Sequence, residues 1–242
     1  MTLRTIPPIA AAVLLLTACG GGSKSSSSEL PRGSMPFELH PADFTTEIDN
    51  PYWPMVPGSH WVYRESENGE VQRVDVTVTQ RTKRIAGIEA RVVHDLVTQD
   101  GEKIEDTFDW YAQDADGNLW YLGEDTKEYE NGKVATTEGS WEAGVDGAEA
   151  GIVVPAQPKQ GQTYREEYYA GHAEDGAEVL GVNGKAQVPF GRFDNALMTR
   201  NFSTIEPNVL ELKLYARGVG PVMELLVSGG SGRTELLSYT KG

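Results

Sequence analysis

Trp61-Val62-Tyr63-Arg64-Glu65-Ser66-Glu67-Asn68-Gly69-Glu70-Val71-Gln72-Arg73-Val74-Asp75-Val76-Thr77-Val78 is the stretch that decides the fold class. Asn-Gly supplies the two successive positive-φ residues of a tight hairpin turn, and runs with alternating apolar residues flank it. A two-residue turn at Asn68-Gly69 sets Tyr63 opposite Val74 and Trp61 opposite Val76. Aromatic and aliphatic side chains then share one face, while Asp75 and Thr77 take the other.

The same pattern recurs along the chain. Asp100-Gly101, Asp116-Gly117, Asn131-Gly132 and Asn183-Gly184 are further hairpin signals, and no stretch carries the 3.6-residue period of an amphipathic helix. Asp114-Ala115-Asp116-Gly117-Asn118 reads as a type I turn with a glycine bulge, which sets Trp110 opposite Leu122 and Ala112 opposite Trp120, on an apolar face shared with Phe108. The expectation is an all-β domain over residues 39–242, long enough for one sizeable core. An antiparallel meander would curve strongly into a half-barrel or barrel-like sheet with one aromatic-rich side. Gly139 to Pro158 interrupts the rhythm and reads as a long Gly-rich ordered loop. Its Trp141 and Ile152 serve either a lid or binding loop, or a plug over one end of the sheet.

Before this domain lie an export signal and a leash. Arg4, an apolar run from Ile9 to Leu16 and small residues at the cut form a signal peptide over residues 1–19. The run is about half the roughly 20 residues that a membrane-spanning helix needs. Leu16-Thr17-Ala18-Cys19 resembles the bacterial lipobox, whose cysteine is acylated and becomes the first residue of the mature chain. Cys19 is the only cysteine in the sequence, so lipidation there leaves no thiol for disulfides, nucleophilic catalysis or metal binding. Residues 20–38 open with Gly20-Gly21-Gly22-Ser23 and a serine run, and read as a flexible tether. Its first 17 residues span about 20–25 Å as a coil and about 55 Å extended.

Without residues 1–19 the chain keeps 20 basic and 36 acidic side chains, a net charge of −16. Scattered single Lys and Arg on so acidic a chain argue against nucleic acid and against anionic lipid surfaces. Membrane attachment is therefore expected through the lipid on Cys19 alone.

Three motifs carry a resemblance. Pro57-Gly58-Ser59-His60-Trp61-Val62-Tyr63, Val188-Pro189-Phe190-Gly191-Arg192-Phe193-Asp194-Asn195-Ala196-Leu197 and Tyr215-Ala216-Arg217-Gly218-Val219-Gly220-Pro221-Val222 resemble landmarks of secreted bacterial β-rich proteins of uncharacterised function, many of them lipoproteins. The resemblance implies a curved barrel-like or half-barrel sheet and an envelope location. It implies no reaction.

Candidate chemistry is diffuse. With a regular two-residue turn at Asp100-Gly101, Asp95 and Asp106 stand directly opposite, a carboxylate pair that Glu105 and Asp109 could join in acid/base work. Asp114, Asp116 and Asn118 space oxygen donors like the start of a calcium loop, but the glycine falls at the fourth position and strands flank it, so a plain hairpin turn competes with calcium binding. The four histidines lack metal-ligand spacing, and His94 reads as a satisfied, partly buried side chain. No nucleophile elbow or phosphate loop occurs, so no cofactor is expected. Trp53, Trp61, Trp110, Trp120 and Trp141 with Tyr52, Tyr63, Tyr111 and Tyr121 could line a ligand site in a curved sheet or simply fill it, with Trp61, Tyr63, Trp110, Trp120 and Trp141 the chosen candidates. Two functions survive. One is a lipid-anchored envelope module binding an apolar, sugar-like or protein partner; the other is an envelope hydrolase using the paired carboxylates.

Overall fold

The structure is a computed structural model that describes residues 29–67 and 69–242. Cys19, the signal segment and tether residues 20–28 lie outside the described residues. The first half of the sheet comprises β1 (Phe44–Thr45), β2 (His60–Glu67), β3 (Glu70–Ile85), β4 (Ile88–Gln99), β5 (Glu102–Asp114), β6 (Leu119–Glu130), β7 (Lys133–Thr136), β8 (Trp141–Glu142) and β9 (Glu149–Val154). The second half comprises β10 (Thr163–Arg165), β11 (Glu167–Tyr168), β12 (Asp175–Val188), β13 (Gly191–Ser203), β14 (Leu210–Ala216), β15 (Gly220–Ser228) and β16 (Gly232–Thr240). Among the described residues the only helical turn is a 3-10 turn at Pro41–Asp43. The all-β antiparallel expectation holds.

Strand order runs β10-β12-β13-β14-β15-β16-β2-β3-β4-β5-β6-β9-β11. The two ends of that order are consecutive in sequence: β10 pairs with β12, β11 pairs with β9, and only Glu166 separates them. One continuous segment therefore bridges both edges and nearly closes the sheet into a barrel, which removes the edge strands that would otherwise template aggregation. Gly151 on β9 makes the approach possible, because a Cβ there would stand 2.4 Å from the carbonyl carbon and oxygen of Glu166.

Two hairpins keep the expected register. Trp61 pairs with Val76 and Tyr63 with Val74. In the Asp114 to Asn118 turn, Gly117 N–H donates to Asp114 O and Asp114 N–H to Asn118 O, with Gly117 at φ +86°, and Ala112 pairs with Trp120. Other expectations need correction. Asn183-Gly184 is not a turn but an irregularity inside β12, whose hairpin instead turns between Val188 and Gly191. Ile152-Val153-Val154, β-branched and apolar, form β9 against β6 inside the segment expected to be a loop. Residues in the tether by composition are also held: Arg165, 2 % exposed, donates to Gly33 O at 2.7 Å and Met35 O at 2.9 Å, and its N–H donates to Pro31 O.

Register also separates two faces that apolar patterning alone would join. Residues directly opposite across antiparallel strands share a face. Following the pairs Tyr63–Val74, Val76–Asp95, Val93–Asp109 and Tyr111–Tyr121 from β2 to β6 traces the inner wall. Trp110 pairs with Val92, and Trp120 with Ala112, so both belong to the outer face. There Phe37 and Phe44 pack on Trp120, at centroid distances of 5.2 and 5.8 Å, and Lys83 sits over Trp110. This half thus carries an apolar face on the outside, met by the N-terminal segment, while the lumen mixes aromatic rings and valines with carboxylates.

Candidate functional site

The lumen is walled by tyrosines and carboxylates. From β6 across to β14 its rings form a chain: Trp141 meets Tyr121 edge-on at 5.5 Å, Tyr121 stacks on Tyr111 at 5.0 Å, and Trp53 lies 5.7 Å from Tyr111 and 6.1 Å from Tyr215. Trp53 comes from the loop before β2 and lies against Gly220, where a Cβ would stand 2.8 Å from the indole. Tyr63 spans to β15, donating its hydroxyl to Pro221 O at 3.0 Å.

A cavity of about 230 Å³ sits among Trp53, Tyr63, Tyr111, Asp95, Asp109 and Glu224. A second opening of about 520 Å³, bordered by Glu105, Glu128 and Glu130, shares Glu65, Val74 and Asp95 with the first. The two form a funnel with Asp95 at its neck, opening at the end that carries the β2–β3, β4–β5 and β6–β7 turns.

Burial dominates the electrostatics. It pushes Asp95 up to about 8, with Glu105 and Glu65 adding repulsion. Burial also raises Asp109 well above the carboxylate range, reinforced by Glu124 and Asp95 and opposed by the Tyr121 hydroxyl, which donates to Asp109 at 2.8 Å. Glu65, Glu105 and Glu124 shift upward for the same leading reason. Asp95 therefore holds a proton at neutral pH, because like charges crowded in a low-dielectric wall cannot all ionise.

On the far side of the lumen, Lys213 lies 3.5 Å from both Glu211 and Glu224. Burial pulls its ammonium down, but Glu224, Glu166 and Glu211 together hold it well above its usual range. Glu166 is pushed up to about 7 by burial, against the pull of Lys213 and Asn201. At the seam Glu167 rises to about 9, through burial and the neighbouring carboxyl of Asp175.

Two solved structures resemble this chain. One is a Bacteroides fragilis protein described as exported and of YmcC-like fold, 14% identical with a TM-score of 0.47, covering 78% of this chain and 99% of its own. The other is a lipoprotein candidate from Parabacteroides distasonis, 11% identical with a TM-score of 0.40, covering 78% and 98%. No family model and no curated protein sequence matches the chain.

Placed on this geometry, the residues singled out in sequence divide. Asp95, Asp109 and Glu105 share the inner face. Asp106 does not, because the β4–β5 register slips at Ile104: Thr98 pairs with Lys103 but Val97 with Glu105, so Asp95 faces Thr107 and Asp106 faces Leu96. On the outer face Asp106 binds His94 Nε2 at 2.7 Å and Lys103 Nζ at 2.7 Å, so His94 is a satisfied side chain. Burial raises Asp106, yet these two hydrogen bonds bring it below the usual range. Trp61, Tyr63 and Trp141 belong to the lumenal side, Trp110 and Trp120 to the outside.

Asp114 is occupied by its own turn: Asn118 N–H, Asn118 Nδ2 and Trp120 Nε1 donate to its carboxylate at 2.8, 2.8 and 2.7 Å. Asn118 Oδ1 accepts Ala156 N–H, so both side chains act as structural braces, with Asp116 in the same turn. Among the described residues no three His, Cys, Asp or Glu side chains converge to hold a metal ion. Trp53, Tyr111 and Tyr121, already among the candidate rings in the sequence, take lumenal places. Sequence reasoning missed Lys213 and Glu224.

Proposed function

We propose that this protein is an exported, lipid-anchored envelope module that binds a small polar ligand in its lumen. The observation that carries the reading is the funnel: an aromatic-floored cavity joined through Asp95 and Val74 to an open acidic mouth. Ligand sites combine apolar and aromatic walls with a few convergent polar groups, and tyrosine hydroxyls beside carboxylates favour polar over purely apolar partners. Cys19 supplies the membrane attachment through its lipid, and the Gly/Ser segment supplies reach; the folded surface, at net −16 for the mature chain, adds no attraction to anionic lipid.

Native mass spectrometry of the full-length protein purified from its own envelope tests this. Wild type should carry a co-purified small molecule. Val74→Phe, which adds bulk at the neck, should emerge empty while keeping its unfolding transition. Two equally empty spectra would overturn the reading. The Asp95–Asp106 pair of the hydrolase reading does not form, since the two lie on opposite faces of the sheet, while Asp95, Asp109 and Glu105 share the inner face.

A further inference from the structure

We infer that the lumenal cavity takes an organic ammonium ion with an apolar body, its charged head at Asp95 and Asp109 and its body against Tyr63, Tyr111 and Trp53. The inference rests on the reading of the lumen as a binding site and names the ligand class.

Asp95 supplies the first argument. Its Oδ1 is shut off from bulk solvent and has no hydrogen-bond partner, although the residue borders both parts of the funnel. Native folds rarely leave a buried carboxylate oxygen without a partner. Asp95 itself borders the cavity, so a ligand seated there is the available source of a donor.

Charge supplies the second. Glu65, Asp95, Asp109 and Glu224 all line the same cavity. Glu224 shares Lys213 with Glu211. Asp109 receives a neutral hydroxyl from Tyr121, and neither Asp95 nor Asp109 has a salt-bridge partner among the described residues. A neutral sugar filling this space would leave Asp95 and Asp109 to keep their protons, whereas a cation stabilises their charged form.

Size and wall chemistry choose the kind of cation. A space of about 230 Å³ is far too roomy for a bare metal ion, and no metal-ligating trio converges among the described residues. Aromatic faces beside carboxylates are the pairing that recognises ammonium groups, through cation–π attraction on one side and charge on the other. Val74, Val76 and Val93 complete an apolar strip on which a hydrocarbon body can lie. Glu105, Glu128 and Glu130 at the mouth attract cations and repel anions before they enter.

Proton balance follows. Asp95 holds a proton at neutral pH in the empty lumen, so an ammonium that seats against its carboxylate displaces that proton to the buffer.

Titration calorimetry of the full-length protein in a non-ionic detergent at pH 7 tests the inference, using phenethylammonium, 2-phenylethanol and phenylacetate. The ammonium should bind at least tenfold tighter than the alcohol, and the acid should give no binding. Repeating the titration in buffers of different ionisation enthalpy should show release approaching one proton per ligand. Asp95→Asn should weaken the ammonium at least tenfold and abolish the proton release, with Asp109→Asn as a second variant that leaves Asp95 in place. Equal binding of alcohol and ammonium, or an Asp95→Asn variant with unchanged affinity, overturns the ammonium assignment and leaves the lumen as a site. Binding of none of the three overturns both readings.

Discussion

Asn201 on β13 gives its side-chain amide to both carboxylate oxygens of Glu166, at 2.9 and 2.8 Å, and Glu166 is the residue at which the two ends of the sheet meet. Thr199 Oγ1 in turn donates to Asn201 Oδ1 at 2.7 Å, fixing the amide's orientation. Asn201→Ala strips a buried carboxyl of these donors while Glu166 remains buried. Removing one partner of a buried polar pair costs about 1–3 kcal/mol, and the urea midpoint should fall accordingly. Glu166→Gln should cost less, since an amide there keeps an acceptor for Asn201 and sheds the charge. Equal midpoints for Asn201→Ala and wild type would show that the seam does not depend on this pair.

Closure makes a second demand at Gly151. A methyl group there collides with the Glu166 carbonyl at 2.4 Å and with Arg165 O at 2.5 Å, both backbone atoms that cannot rotate away. Gly151→Ala should therefore part β9 from the β10–β11 segment, at a cost of several kcal/mol because the Arg165 hydrogen bonds to Ala150 O go with it. Hydrogen exchange should quicken in β9 and β11 first. Unchanged protection of Ile152 and Val153 would mean that the seam yields in some other way.

Why the lumen was less legible than the fold follows from particular residues. Turns are local, so Asp114 to Asn118 revealed both its bulge and the Ala112–Trp120 pairing. A bulge inside a strand leaves no such mark: Ile104 is an ordinary strand residue, yet it shifts Asp106 to the outside and dissolves the Asp95–Asp106 pair. The greater difficulty was which face is inside. Trp110 and Trp120 are the more apolar choice, but β5 and β6 present them to the N-terminal segment through Phe37 and Phe44. Only the tertiary path of residues 30–45 shows that this apolar face has its own cover, and local pattern cannot carry that information.

The anchor is tested separately from the domain. Cys19→Ala removes the thiol expected to carry lipid, and nothing in the acidic mature chain replaces its membrane affinity. The variant should move from the membrane to the soluble fraction with an unaltered unfolding transition. Retention in the membrane fraction after a high-salt wash would refute lipid anchoring at this position.

Stability should fall as pH rises from mildly acid to alkaline, the reverse of the behaviour of salt-bridged carboxylates. The charges that bear on Asp95 are Glu65 on β2, Glu105 on β5 and Glu124 on β6 from the inner face and Asp75 on β3 from the outer face, with Asp109 and the Tyr63 hydroxyl beside it. All these neighbours add negative charge or none, so burial and repulsion act together. Asp95 lies at about 8, Glu166 at about 7 and Glu167 at about 9, all above their unfolded range near 4. The folded chain then binds more protons than the unfolded chain, and the unfolding free energy falls with pH. This contribution is complete below about pH 4 and is lost as pH climbs through about 7 to 9. In the other direction, Arg233 and Arg64 hold Glu235 low, so acid below about pH 4 also weakens the fold. Each tenfold change in a carboxyl's proton affinity on folding corresponds to about 1.4 kcal/mol, and the combined loss between about pH 5 and 9 should reach several kcal/mol. Asp95→Asn deletes one large lumenal contribution without emptying space. Its urea midpoint should match wild type near pH 5 and exceed it at pH 8, where the wild-type carboxyl is forced towards charge. A wild-type midpoint that holds level or rises from pH 5 to 9 would show that the lumenal carboxyls are solvated and ionised, and would remove the buried proton on which the ammonium exchange depends.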